Sequence, residues 1–231
     1  MINNNPKVNK NLTVKDVSGG YHIISIDIPV DYYLYYKNKP HNMGENFEYI
    51  TAFITPDDYF INLILKQVSD YNSKMLRLKK GMQTIIDVEQ NIVQQTYYTE
   101  DWHSGYNEYP KYPIETLFEG NGDCEDLSFL LATFIKNNVN SLKEIMEEPL
   151  YDVALLRFPK HVGVGWHANK GVFDTEEEAF NFYKSQQPQT NGWFTFNNKK
   201  YFYMEATNPQ FKFGEILDEL FNQSAILHKI D

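Results

Sequence analysis

Gly122-Asp123-Cys124-Glu125-Asp126 runs directly into Leu127-Ser128-Phe129-Leu130-Leu131-Ala132-Thr133-Phe134-Ile135. Leu127, Leu130, Leu131, Phe134 and Ile135 recur at the spacing of one helix face, so Cys124 opens an amphipathic helix. Asn137 and Asn138 predict its end, and a short acidic helix is expected over 141–148. Downstream the period changes. Residues 152–158 and 161–166 read as strands, and 175–184 as a short amphipathic helix. Residues 193–196 and 201–207 flank Asn197-Asn198-Lys199-Lys200, a hairpin turn.

Upstream, 1–18 is rich in Asn and Lys and reads as loose, 21–30 as a strand, and 32–36 as an extension of the aromatic surface. Thr55-Pro56-Asp57-Asp58 is a helix start, with Thr55 as cap and Pro56 in the first turn. Ile61, Ile64, Leu65, Val68 and Tyr71 then keep helical spacing. Gly81 breaks the run, and Met82, Ile85, Ile86, Ile92 and Val93 mark a second helix. Residues 97–115 read as a long ordered loop rich in Tyr, Pro and Gly. Helices followed by antiparallel strands give an α+β class, with the Cys-bearing helix packed on an antiparallel sheet. The whole chain, 1–231, reads as one domain. Its parts are an N-terminal extension (1–50), a helical part with the Cys (51–140) and a sheet with the His and the acid (150–215).

Composition bounds the chemistry. The net charge is −10, from 21 basic and 31 acidic residues, which disfavours phosphate backbones and anionic membranes as partners. Cys124 is the one cysteine, so there is no intramolecular disulfide and no thiolate-rich metal site. No stretch nears the about 18 apolar residues that span a bilayer, and no apolar leader opens the chain, so a cytoplasmic location is expected.

A thiol at a helix N-terminus is favoured as thiolate, while Asp123, Glu125 and Asp126 oppose ionisation. A nearby imidazolium would be needed to hold it ionised. The other reading of Cys124 is a packed structural residue. Of six histidines, His22, His41, His103, His167 and His228 read as structural, and His161 stands out at a strand start. Glu205, inside the aromatic run Tyr203-Met204-Glu205-Ala206-Thr207, would be buried only beside a cation, and otherwise faces solvent on an edge.

Tyr112-Pro113-Ile114-Glu115-Thr116-Leu117 followed by Gly120-Asn121-Gly122-Asp123-Cys124-Glu125-Asp126 resembles the P-x-E-T-L…G-x-G-D-C-E-D signature of microbial transglutaminase-like cysteine peptidases, which share the papain-like fold. His161-Val162-Gly163-Val164-Gly165 resembles the family's histidine segment, and 203–207 its acidic one. The resemblance runs from about Gln94 to Gly214. It implies a papain/transglutaminase-like core, Cys124 as nucleophile, His161 as general base and acid, and Glu205 as the imidazole orienter. It also implies Gln94, or Gln95, as an oxyanion donor. The interval between His161 and Glu205 is longer than a compact core needs; it would form a lid or rim and makes Asp174 a second candidate acid. Tyr109, Tyr112 and Trp166 are expected to line a groove for a protein or peptide substrate. The implied activity is thiol-dependent acyl transfer on amides, more readily hydrolysis than cross-linking, with no metal or other cofactor. A binding or scaffold module on the same fold is the alternative, and a metal-dependent hydrolase has only scattered His and acids behind it. The sequence does not disclose the oligomeric state.

Overall fold

The computed structural model describes residues 5–15, 20–72, 81–101, 109–143, 151–169, 173–186 and 192–231. Strands β1 (Lys7–Lys15) and β2 (Tyr21–Pro29) pair antiparallel, with Leu12 opposite Ile24 and Val14 opposite His22. The N-terminal segment is therefore a strand where a loose chain was expected. Asn and Lys at every second position hide its alternation, yet Val8, Leu12 and Val14 fall on the face that buries Ile24, Ile26 and Ile28. The aromatic run after Pro29 is helical, α1 (Val30–Lys37), and the hydroxyls of Tyr32 and Tyr36 donate to Asp58 at 2.8 and 2.7 Å.

Asp58 also caps α2 (Tyr59–Asn72): its Oδ1 accepts the N–H groups of Phe60 and Ile61 at 2.8 and 3.2 Å. The cap is thus three residues beyond Thr55, whose own N–H donates to the Thr133 hydroxyl. Ile61, Ile64, Leu65 and Val68 are buried, as their spacing requires. The next helix, α3 (Gly81–Val93), buries Ile86, Ile92 and Val93. The side chains of Tyr71, Met82 and Ile85 lie outside the described residues.

The stretch expected as one long loop contains β3 (Tyr97–Tyr98) and the start of α4 (Pro113–Glu119). Pro113 suits the first turn, Glu115 accepts the Tyr112 N–H at 3.0 Å, and Gly120 ends the helix with φ 77°. Strand β4 (Asn121–Gly122) pairs parallel with β3 and leads into α5 (Cys124–Lys143). Helix α5 continues past Asn137 and Asn138. Their amides are spent across the core, Asn137 on the Pro56 carbonyl (2.5 Å) and Asn62 (2.8 Å), Asn138 on Glu89, so they do not compete with the helix backbone. The expected acidic helix lies partly in this helix; residues 144–148 are outside the described ones.

Strands β5 (Tyr151–Phe158) and β6 (His161–Ala168) form a hairpin. Helix α6 (Glu176–Gln186), capped by Thr175, precedes β7 (Trp193–Phe196) and β8 (Lys199–Met204). Asn197 and Asn198, at φ 48° and 66°, make the β7–β8 turn with two residues instead of the four expected, because both accept the left-handed region. Strand β9 (Ile226–Lys229) completes a five-stranded antiparallel sheet of order β7-β8-β6-β5-β9. The class is mixed helix and strand around an antiparallel sheet. One core cluster joins the hairpin (Ile24, Ile28), α2, α5 and the sheet (Val164, Phe202). Helix α6 packs on the sheet through Phe180 against Phe202 and Tyr183 against Trp166, and is not a rim of the cleft described below. Among the described residues no helix is long and apolar enough to cross a membrane.

Glu89 of α3 is fully buried, and burial pushes its carboxyl up to about 8, against the pull of the Asn138 amide. Its folded pKa exceeds the unfolded one, so stability falls as pH rises from the ordinary carboxyl pKa towards 8. Glu89→Gln should raise the melting temperature, with a gain that grows by up to about 1.4 kcal/mol per pH unit across that window. Melting curves of both proteins between pH 5 and 8 check this; an equal difference at every pH would contradict it.

Candidate active site

Cys124 is the first residue of α5, where β4 hands the chain to the helix. Asp123 before it accepts the Leu127 N–H at 3.1 Å through its carbonyl. Gly122 is obligatory at this junction: a Cβ there would lie 2.6 Å from Asp126 Cβ. Asp126 is buried, and its Oδ1 accepts the Lys111 backbone N–H at 2.6 Å. One turn on, Ser128 Oγ donates to the Val162 carbonyl at 2.8 Å, which ties the Cys helix to the strand that begins with His161.

The half-buried thiol of Cys124 donates to Glu125 Oε2 at 3.1 Å. Burial pushes the thiol well up, and the charges of Glu125 and Asp123 and the bond to Glu125 add to this; the Val162 backbone works the other way. Glu125 is itself raised to about 10, by burial first and then by Asp123 and Asp126. Thiol and carboxyl therefore both keep their protons at neutral pH. The acidic flank visible in the sequence opposes ionisation as expected, and burial is the larger opponent.

His161 begins β6, and its Nε2 lies 3.1 Å from Glu205 Oε2 and 3.0 Å from the Tyr203 hydroxyl. The Tyr203 hydroxyl donates to the same Glu205 oxygen at 2.5 Å, so it can only accept from the imidazole. That arrangement places the ring proton on Nε2 and leaves the lone pair on Nδ1. Glu205 follows the last residue of β8 and is buried. Burial disfavours its charge, yet the bonds from His161, Thr207 and Tyr203 outweigh that and hold its carboxyl below the ordinary value. Its second oxygen accepts the Thr207 N–H (2.8 Å) and hydroxyl (2.6 Å). Gly163 makes room for the Tyr203 ring, since a Cβ there would meet the ring at 2.3 Å.

Cys124 and His161 line one cavity of about 370 Å³. Glu100, Asp101, Asp123 and Glu125 lie on its wall, with Arg157 and Lys160 also facing it. Carboxylate oxygens of Asp101, Asp123 and Glu125 come within 4.8 Å of one another, the described acids best placed to face a cation.

Other expected site residues are placed elsewhere. The Gln94 amide donates to the carbonyls of Glu205 (2.9 Å), Asn208 (2.9 Å) and Phe211 (3.0 Å). With its N–H groups committed, it clamps the segment that carries the acid and has none to offer an oxyanion. Gln95 bonds to Thr13 of β1. Trp166 is 1% exposed, among Tyr151, Tyr183 and Phe213, so it is core and not groove. Tyr112 is likewise buried, against Tyr36 and Phe53. Tyr109 is half-buried and lines a neighbouring polar cavity, with Glu100 and Asp101 common to both. Asp174 is exposed ahead of α6, where its N–H donates to Glu178. His41 pairs with Glu115 at 2.7 Å, and His167 Nδ1 meets the Lys200 carbonyl; His103 lies outside the described residues.

Tyr203, Thr207 and Gln90, which also donates to the Glu205 carbonyl, escaped the sequence reading. The available signal was the period of two: Tyr203 and Glu205 share a strand face, as do His161 and Gly163. Comparisons with known protein families, with curated proteins and with solved structures return no match.

Glu125→Gln removes the acid that accepts from the thiol and cannot become an anion. Alkylation of Cys124 by iodoacetamide should match the parent near pH 8, where Glu125 keeps its proton, and exceed it about tenfold above about pH 10, where only the parent carries the Glu125 charge, the equivalent of one pKa unit. An unchanged rate profile would mean that Glu125 does not restrain the thiol.

Proposed function

We propose that the protein catalyses thiol-dependent acyl transfer on peptide, isopeptide or glutamine-type amides, with Cys124 as nucleophile, His161 as base and acid, and Glu205 as the group that orients the imidazole. The observation that carries this reading is the coupling of His161 Nε2 to a buried, charged Glu205 beside a cavity that also holds Cys124. A carboxylate on the far ring nitrogen fixes the tautomer and stabilises the imidazolium that forms during reaction.

The raised thiol defines how the step proceeds. No resting thiolate is needed; the Cys124 proton moves to His161 Nδ1 as sulfur closes on the carbonyl. The carbonyl π electrons move to oxygen, and the free N–H groups at the start of α5 are the donors at hand for that oxyanion. Collapse of the intermediate expels the amine, which takes the proton from Nδ1, and leaves a thioester on Cys124. Water, deprotonated by His161, then releases the acid and the free thiol. An amine in place of water would give transamidation; water is the default second nucleophile in an open cleft. The residues assigned to these steps use no metal.

A second reading, a binding or scaffold module without turnover, draws on the restraint that Glu125 and Asp123 place on the thiol. Alkylation separates the two, because Cys124 is the one thiol in the chain. Between pH 4 and 10, His161→Ala should slow iodoacetamide near neutral pH by about a hundred- to ten-thousandfold, the contribution of a base that takes the thiol proton. Identical profiles would sink the acyl-transfer reading and leave the binding one.

A further inference from the structure

Arg157, near the end of β5, faces the same cavity as Cys124 and His161. It forms no ion pair and no side-chain hydrogen bond among the described residues, and its Nε is buried without an acceptor. The absence of a partner is unusual in a chain of net charge −10, where carboxylates are plentiful. Its guanidinium lies 4.5 Å from the centre of the Phe47 ring. Such stacking holds the planar fork in place while leaving its N–H edge open. Phe47 is held at φ 61°, a left-handed conformation costly for a bulky side chain. Strain of this kind gathers where a side chain must be aimed. His228, close behind, is kept below its ordinary pKa by burial and by the Arg157 charge, as expected of a cation that no anion neutralises. Lys160, exposed at the β5–β6 turn, adds a second positive charge to the same side of the cavity.

We infer that Arg157 is a specificity residue: it binds a carboxylate of the substrate, in bidentate fashion, while Cys124 attacks an amide of the same molecule. This rests on the acyl-transfer reading for the attack, but the carboxylate subsite stands on Arg157 alone. A guanidinium fork matches a carboxylate better than any other common group of a peptide. Two sources have this chemistry, the C-terminus of a chain and an acidic side chain. Glu100, Asp101 and Asp123 also line the cavity and repel an anion there, so Arg157 and Lys160 are the lining groups that a substrate carboxylate can meet.

The test is a ladder of alkylating agents on the single thiol: iodoacetate, N-iodoacetylglycine and N-iodoacetyl-γ-aminobutyrate, each paired with its primary amide. The acid-to-amide rate ratio should peak at one length, where the carboxylate reaches Arg157. That peak should fall about tenfold in Arg157→Gln, the loss of a charge-assisted hydrogen bond. Arg157→Lys, which keeps charge without the fork, should retain part of it and guards against a misfolded Gln variant. A ratio that is flat along the ladder, or unaltered in Arg157→Gln, overturns the subsite. Ratios cancel the intrinsic reactivity of the thiol, so a slow Cys124 in both arms would count against acyl transfer and not against Arg157. Protection of Cys124 from iodoacetamide by a blocked peptide with a free C-terminus, against one with an internal glutamate, identifies the source of the carboxylate. Protection by neither counts against the subsite.

Discussion

A charged carboxylate without water is expensive to keep, and the architecture around Glu205 is the answer to that cost. Its two oxygens are met by His161, Tyr203 and both donors of Thr207. Its backbone carbonyl is held by the amides of Gln90 in α3 and of Gln94, the residue after that helix. Each of these partners imposes a condition of its own. The Tyr203 ring can lie where it does only over Gly163, so the strand bearing His161 must have a glycine two places on. The glutamines lie four apart, with the Gln94 N–H bonded to the Gln90 carbonyl, so the end of α3 must meet the segment that follows β8. The helix, the hairpin strand and the post-strand segment are therefore positioned by one buried charge.

Helix α5 supplies the complementary half of the site. Phe129, Leu130, Leu131, Phe134 and Ile135 have no exposure, so the helix is apolar nearly all round and serves as the centre of the core. Its N-terminus is consequently fixed in depth. Cys124 comes only as far towards solvent as Gly122 and the Ser128 bond to β6 allow. Depth explains the protonated thiol: burial precedes Glu125 and Asp123 among its causes. The thiol keeps its proton at a depth where Cys124 and His161 line the same cavity.

Much of this was legible in the residues. The apolar period after Cys124 and the helical spacing from Ile61 to Val68 correspond to buried faces in the structure, and the stretches read as strands form β5 and β6, buried along most of their length. Elements shaped by tertiary partners were not legible. Helix α5 runs through Asn137 and Asn138 because α2 and α3 receive their amides, information absent from local propensity. Asp58 outcompetes Thr55 as a cap while also holding two tyrosines of α1. Strand β1 is polar on its outer face and was masked by it. In the site, residue types pointed to Cys124 and His161, which line one cavity, and to Glu205, which is bonded to His161. The direction of an amide or a ring could not be read, so Gln94, Tyr112 and Trp166 were expected to face the cleft and instead face the core or the backbone.

The pairing of β6 with β8 sets Gly165 opposite Tyr203 and Val164 opposite Met204. This register carries His161 and Glu205 towards each other, since each lies on the same pleat face as its glycine or tyrosine neighbour. The path between the two strands, which carries α6 and β7, has no part in that alignment. Its length is therefore a free variable, whereas a one-residue slip of the ladder would turn Glu205 to the opposite face of the sheet. The long interval between histidine and acid is an excursion from a fixed frame, and chain length there is uncoupled from the geometry of the His161–Glu205 pair.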